Sequence, residues 1–333
     1  MATTPPMERL YERLSGIGFA PDYVRDNVLP KWWDDDISQN PAGYMQAADV
    51  IATLLGLDLE SVLDDSASLR HREVGRQCLK LRRGVAEAEL AQAKCICTRA
   101  AELAHASMLT PFTGIPSSGA EIRQEILGTG VRHVDLQSLL QYCWGRGIPV
   151  VYVSELPPGA KKPDGVAARI EGRPVIGLCK VTPFSAWLVF ILAHELGHIA
   201  RGHVDEDGIL ADEDVTYNVA DDQERAADAF AVELLTGDPN KQYDPAGDLK
   251  TGELAKYAQA IGSFEQVDPG VVALNYAKHK DRWGPGINAL KILEPGAKAT
   301  LTVHAEAFRR LRLDLLAEEE RSFLQSITVG GQR

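Results

Sequence analysis

Two histidines four residues apart, with a glutamate directly after the first, occupy the apolar run Phe190-Ile191-Leu192-Ala193-His194-Glu195-Leu196-Gly197-His198. The run predicts a helix, and residues four apart on a helix share one face. His194 and His198 can therefore direct two imidazoles at one metal ion. Glu195 is displaced around the helix, where it can face a water at that ion and take its proton. That combination is the chemistry of zinc-dependent hydrolysis. The bare pattern also occurs on ordinary helices, so a third ligand has to decide.

A catalytic zinc site takes three protein ligands and keeps one position open. Downstream, Glu224-Arg225-Ala226-Ala227-Asp228-Ala229-Phe230-Ala231 is a run of good helix formers. Enough chain separates it from His198 for a second helix to return across the first and present Glu224 to the two imidazoles. Asp228, four residues on, shares that face and can accept the outer ring N–H of a ligating histidine. On its own the segment also reads as a solvated acidic face beside Arg225. Should Glu224 not ligate, Asp221, Asp222 and His203 are next in line.

The pairing of His194-Glu195-Leu196-Gly197-His198 with Glu224-x-x-Ala227-Asp228-x-Phe230-Ala231 resembles the ImmA/IrrE metallopeptidases. The approach to the helix fits as well: 147–153, 164–170 and 173–178 read as three strands joined by Gly-, Pro- and Lys-rich turns. The resemblance covers about residues 130–235 and weakens outside them. It implies an α+β fold, mainly helical, with a small three-stranded sheet packed on a zincin-like metallopeptidase helix core. It implies that His194, His198 and Glu224 bind zinc. Glu195 is then the general base and afterwards proton donor to the leaving amine, while zinc polarises the scissile carbonyl and lowers the pKa of a water to about 7. Members of the family cut a helix-turn-helix repressor at a specific site, and others resemble toxins held by an antitoxin. The chain departs in one place. Many members carry an Arg shortly before the apolar run into the metal helix, whereas Ser185-Ala186-Trp187-Leu188-Val189-Phe190 has no basic residue.

The flanking regions bound the rest. A chain of 333 residues has room for more than one domain. We divide it into a helix-turn-helix-like module at 1–70, a helical connector at 71–128, the metallopeptidase region at 129–245 and a C-terminal helical region at 246–333. Hydrophobic and charged fractions of 45% and 25% suit a soluble globular protein. No apolar run approaches the ~20 residues of a membrane helix, and the start lacks a secretory pattern. The five cysteines form no disulfide framework, so the expected compartment is the cytoplasm. Cys95-Ile96-Cys97 reads as core on one long helix from Arg76 to Met108, and Cys143 and Cys179 as core too.

Residues 40–63 resemble the last two helices of an Xre-type helix-turn-helix. The place of the DNA-reading helix holds Lys31-Trp32-Trp33-Asp34-Asp35-Asp36, whose acids oppose phosphate. We read a degenerate module with no duplex-DNA binding, in which Trp32 and Trp33 are core or a protein-docking surface. Val204 to Glu224 carries nine acidic residues and no basic one in a chain of net charge −12. This is a solvated loop, or a rim that attracts a basic substrate. His203, just before it, and Tyr217, within it, are candidate oxyanion stabilisers. Helices are expected near 254–258, 267–277 and 283–293, and a last one from His304 to Ile327. Two readings follow: a zinc endopeptidase that cuts a specific partner, or a metallopeptidase-like toxin that works mainly by binding its antitoxin.

Overall fold

The computed structural model describes residues 4–72, 87–205, 208–212 and 222–328. In the first helix, α1 (Pro6–Gly16), Met7, Leu10, Tyr11 and Leu14 recur at helical spacing and are all buried. The short helix α2 (Pro21–Tyr23) follows and, after a 3-10 segment at Asp35–Gln39, come the longer α3 (Pro41–Leu54) and the short α4 (Leu59–Leu63). Asn40 and Asp58 cap α3 and α4 by accepting from Ala42 N and Ser61 N. The segment expected to stand where DNA is read is a turn and a 3-10 segment, with no α-helix across Lys31–Asp36. Asp35 turns inward instead and accepts from Tyr11 Oη at 2.8 Å and Trp33 Nε1 at 2.9 Å. Burial opposes its charge, but these bonds and Arg25 hold its carboxyl below the ordinary range. Trp33 is thus partly buried against the core, whereas Trp32 is exposed.

The helix α5 (Glu87–Ala106) realises the described part of the long helix expected from Arg76; residues 76–86, with Cys78, lie outside the described residues. After α6 (Gly119–Leu127) and α7 (Leu136–Gly145) come β1 (Val150–Tyr152), β2 (Gly165–Ile170) and β3 (Arg173–Leu178). They match the three expected strands. The β2–β3 turn places Glu171 and Gly172 at φ 48° and 77°, the left-handed pair that a two-residue hairpin needs. The sheet has a fourth strand that the sequence reading lacks, β4 (Ile209–Asp212), inside the acidic stretch. The order is β1-β3-β2-β4, with β1 parallel to β3 and the other pairs antiparallel. Only Ile209-Leu210-Ala211 is apolar there, too short a run to announce a strand among acids. Its pairing with Gly165 to Ala168 of β2 makes it one.

Both α5 and α8 (Ser185–Ala200) pack on β2 and β3. Pro174 through Leu178 are accordingly all buried, as in a strand covered on both faces. The chain continues through α9 (Asp222–Thr236), α10 (Thr251–Glu265), α11 (Pro269–Lys280) and α12 (Trp283–Leu293). The expected last helix is two: α13 (Ala299–Arg310) and α14 (Glu318–Thr328), with a 3-10 turn at Leu313–Leu315 between them. The helix stops where Arg312 N donates to Ser107 O at 2.9 Å and Leu311 turns extended. One apolar core runs from Met7 to Ile327. The fold is therefore mainly helical with a small mixed sheet, and among the described residues no helix is long and apolar enough to cross a membrane.

Cys97, Cys143 and Cys179 lie in this core, and Cys95 is partly buried. Burial pushes the Cys143 thiol up to about 12. We expect the Cys143 peptide to resist iodoacetamide in the native protein at mildly alkaline pH and to be alkylated fully in denaturant. Rapid native labelling of that peptide, read by mass spectrometry, would contradict this packing.

Candidate metal centre

Helix α8 is apolar along nearly its whole circumference and buried from Ala186 to Ile199 with few interruptions. A helix of that kind needs its end groups satisfied from elsewhere. Glu294, just after α12, does so: its carboxylate accepts from Ser185 N at 2.6 Å and Ala186 N at 3.2 Å. Burial raises the Glu294 pKa, and the two N–H bonds oppose the rise.

Helix α9 crosses α8 at Gly197. A methyl group at Gly197 would come within 3.0 Å of Phe230 Cδ1 and 3.2 Å of Ala227 Cα. The small residue in the middle of the two-histidine motif thus lets the second helix approach closely enough to deliver Glu224. The three side chains meet in the interior, all buried. His194 Nε2 and His198 Nε2 are 3.0 Å apart, and the Glu224 carboxylate lies 3.3 Å from the first and 3.4 Å from the second.

The outer nitrogens fix the tautomers. His194 Nδ1 is 3.0 Å from Asp228 Oδ1. An ionised carboxylate only accepts, so Nδ1 carries the proton and Nε2 presents its lone pair inward. Burial disfavours charge on Asp228, but the bond from His194 and the Lys278 ammonium outweigh it and hold the carboxyl below its ordinary pKa. Lys278 Nζ reaches the other oxygen, Oδ2, at 3.0 Å. On the second imidazole, His198 Nδ1 is 3.0 Å from His203 Nδ1. With Nε2 turned inward, His198 Nδ1 donates and His203 accepts.

Two lone pairs and a carboxylate facing one another across 3.0–3.4 Å repel unless a positive charge sits among them. Ligands about 2.0–2.1 Å from a tetrahedral ion lie about 3.3 Å from each other. The observed separations bracket that value, and the donor set, two nitrogens and a carboxylate, can hold a metal ion.

Glu195 is fully buried and points to the sheet. A methyl group on Gly165 would fall 2.2 Å from Glu195 Oε1 and 2.8 Å from Ile191 Cγ2. Gly165, the first residue of β2, is what leaves room for that carboxylate. Gly165→Ala should therefore force β2 and α8 apart and destabilise the fold by about 1–3 kcal/mol. A denaturant midpoint equal to that of the parent would contradict the contact.

The structure brings His194, His198, Glu224 and Asp228 together as the spacing predicted. It places His203 against the outer nitrogen of His198, the side away from the Nε2 pole. Tyr217 and Asp221 lie outside the described residues. The Asp222 carboxylate is exposed and paired with Arg225. Three contributors were not anticipated: Gly165, Lys278 and Glu294. The only sequence signal for Gly165 is a glycine at the edge of a strand whose next three residues, Val166, Ala167 and Ala168, are branched or small and apolar.

No family model, curated protein or solved structure matches the chain.

Proposed function

We propose that the chain is a zinc-dependent endopeptidase of the ImmA/IrrE kind, with a zincin-like core, that cleaves a specific partner protein. The observation that carries the reading is the convergence of His194, His198 and Glu224 with a glutamate next to the first ligand, at 3.0–3.4 Å between donors. In this reading His194 Nε2, His198 Nε2 and the Glu224 carboxylate hold the ion. When bound, zinc supplies Lewis-acid polarisation of a carbonyl and of a water.

The protein's own groups do the rest. Asp228 orients the His194 ring and makes it more basic through the Nδ1 bond. His203 fixes the tautomer of His198 in the same way. Glu195, held under Gly165, takes a proton from the attacking water and passes it to the departing amide nitrogen. A site built only for structure has no use for a carboxylate in that position and is usually closed by a fourth protein ligand.

The proposed substrate is a basic partner, a helix-turn-helix repressor in a stress, prophage or defence circuit. The acidic stretch from Val204 to Glu224 supports that choice by charge. The same charge supports a lack of duplex-DNA binding. Exposing the source cell's soluble proteome to the zinc-loaded protein tests the reading. New protein N-termini should appear and vanish when a chelator is present. An identical set of termini with and without chelator would overturn the proposal.

A further inference from the structure

A second concave site lies behind the metal ligands, between α8, α9 and α11. It is a cavity of about 470 Å³, within the ~300–1,000 Å³ range of small-molecule sites. One wall is aromatic: Trp187 and Trp283 both line it and stack on each other at 5.7 Å between centroids and 14° between planes. Phe190 lines it as well, with Lys278 Nζ over its ring at 5.4 Å.

The charges in this wall are mostly positive although the chain carries −12 overall. Among the described residues, Arg225, Lys241 and Lys278 line the cavity together with one carboxylate, Asp228. Arg225 and Lys241 pair with Asp222 and Glu265, acids that are not part of the lining. Lys278 instead pairs with the acid of the wall itself, and its side chain is 40% exposed. An incoming anion can therefore reach its ammonium without first breaking into the protein.

We propose that this cavity binds a small planar aromatic monoanion, its ring packed against the Trp187–Trp283 pair and its carboxylate on Lys278. We also infer that binding is coupled to the metal centre through Asp228. The cavity does not open onto the Nε2 pole. His194 presents Nε2 to His198 and Glu224, and Nδ1 to Asp228, which borders the cavity. A ligand there touches none of the three metal-facing groups.

Asp228 is shared between His194 and Lys278. A metal held on Nε2 would strengthen the Nδ1–H bond to Asp228 Oδ1 and so loosen the hold of Oδ2 on Lys278. A carboxylate arriving on Lys278 leaves Asp228 to pull harder on Nδ1–H, which makes His194 a better donor to the metal. Each ligand thus favours the other, and the coupling is reciprocal. The binding half needs no hydrolytic activity, and the coupling half needs only a metal on His194.

Calorimetric titration of the full chain with naphthalene-2-carboxylate, and with naphthalene-2-carboxamide as the neutral twin, tests both halves. The acid should saturate one site and the amide bind about tenfold more weakly, the contribution of a hydrogen bond to a charged group. Lys278→Met, which keeps the packing of the stem, should weaken the acid about tenfold and leave the amide unchanged. Zinc-loaded protein should bind the acid about fivefold more tightly than chelated protein. No saturable heat, equal affinity for acid and amide, or unchanged affinity in Lys278→Met would overturn the site. Equal affinity with and without zinc would overturn the coupling. Proteolysis enters none of these readouts, so they are distinct from a failure of the endopeptidase reading.

Discussion

Glu195→Gln should leave the metal in place and lower the rate of peptide cleavage about 10³-fold, the middle of the range for removing a positioned general acid–base group. The substitution is nearly isosteric, so the space under Gly165 that admits one side-chain oxygen also admits the amide. None of the three metal-facing groups is touched. What is lost is the ability to take a proton from water and return it to the leaving nitrogen. The pair of measurements matters more than either alone. Metal content, by inductively coupled plasma mass spectrometry, should match the parent, while single-turnover cleavage collapses. Cleavage at the parent rate would remove Glu195 from the mechanism. Loss of metal would mean that Glu195 is itself a ligand.

Glu224→Ala should have the largest effect on metal retention. Four-ligand structural zinc sites gain about 10–16 kcal/mol from the ion, so one ligand's share is about 3 kcal/mol, or a hundredfold or more in affinity. Asp228→Asn keeps all three metal-facing groups and removes only the charge that steadies His194. It should weaken the metal less, by about 10–100-fold. Competition with a chromophoric chelator separates the two. Equal metal affinity in the parent and Glu224→Ala would shift the third ligand elsewhere. A weaker metal in Asp228→Asn than in Glu224→Ala would reverse the assigned roles.

The ligands were legible because each rests on helical periodicity. His194 with His198, and Glu224 with Asp228, are pairs four residues apart, and that spacing survives any detail of packing. Contacts across elements were not legible. Gly165 matters because β2 lies against α8, which no local pattern around Gly165 encodes. Lys278 meets Asp228 from α11, on a helix whose other face is committed to the core.

The division of the last helix was invisible for a related reason. Leu311 to Ala317 contains neither Gly nor Pro, and the break is imposed by long-range contacts such as Arg312 N to Ser107 O and Arg99 to Glu320. At the other end, the Trp-Trp-Asp-Asp-Asp stretch reads as hostile to phosphate. Its conformation was not foreseen, because Asp35 gathers Tyr11, Arg25 and Trp33 around itself and ties the segment to α1.

The most direct measurement is the position of the ion. Crystals of the full chain grown with zinc and measured at the zinc absorption edge should show one strong anomalous peak, about 2.0–2.2 Å from His194 Nε2, His198 Nε2 and a Glu224 oxygen. An anomalous map empty at that point, with the two imidazoles still facing each other, would contradict the metal centre and with it the proposed chemistry.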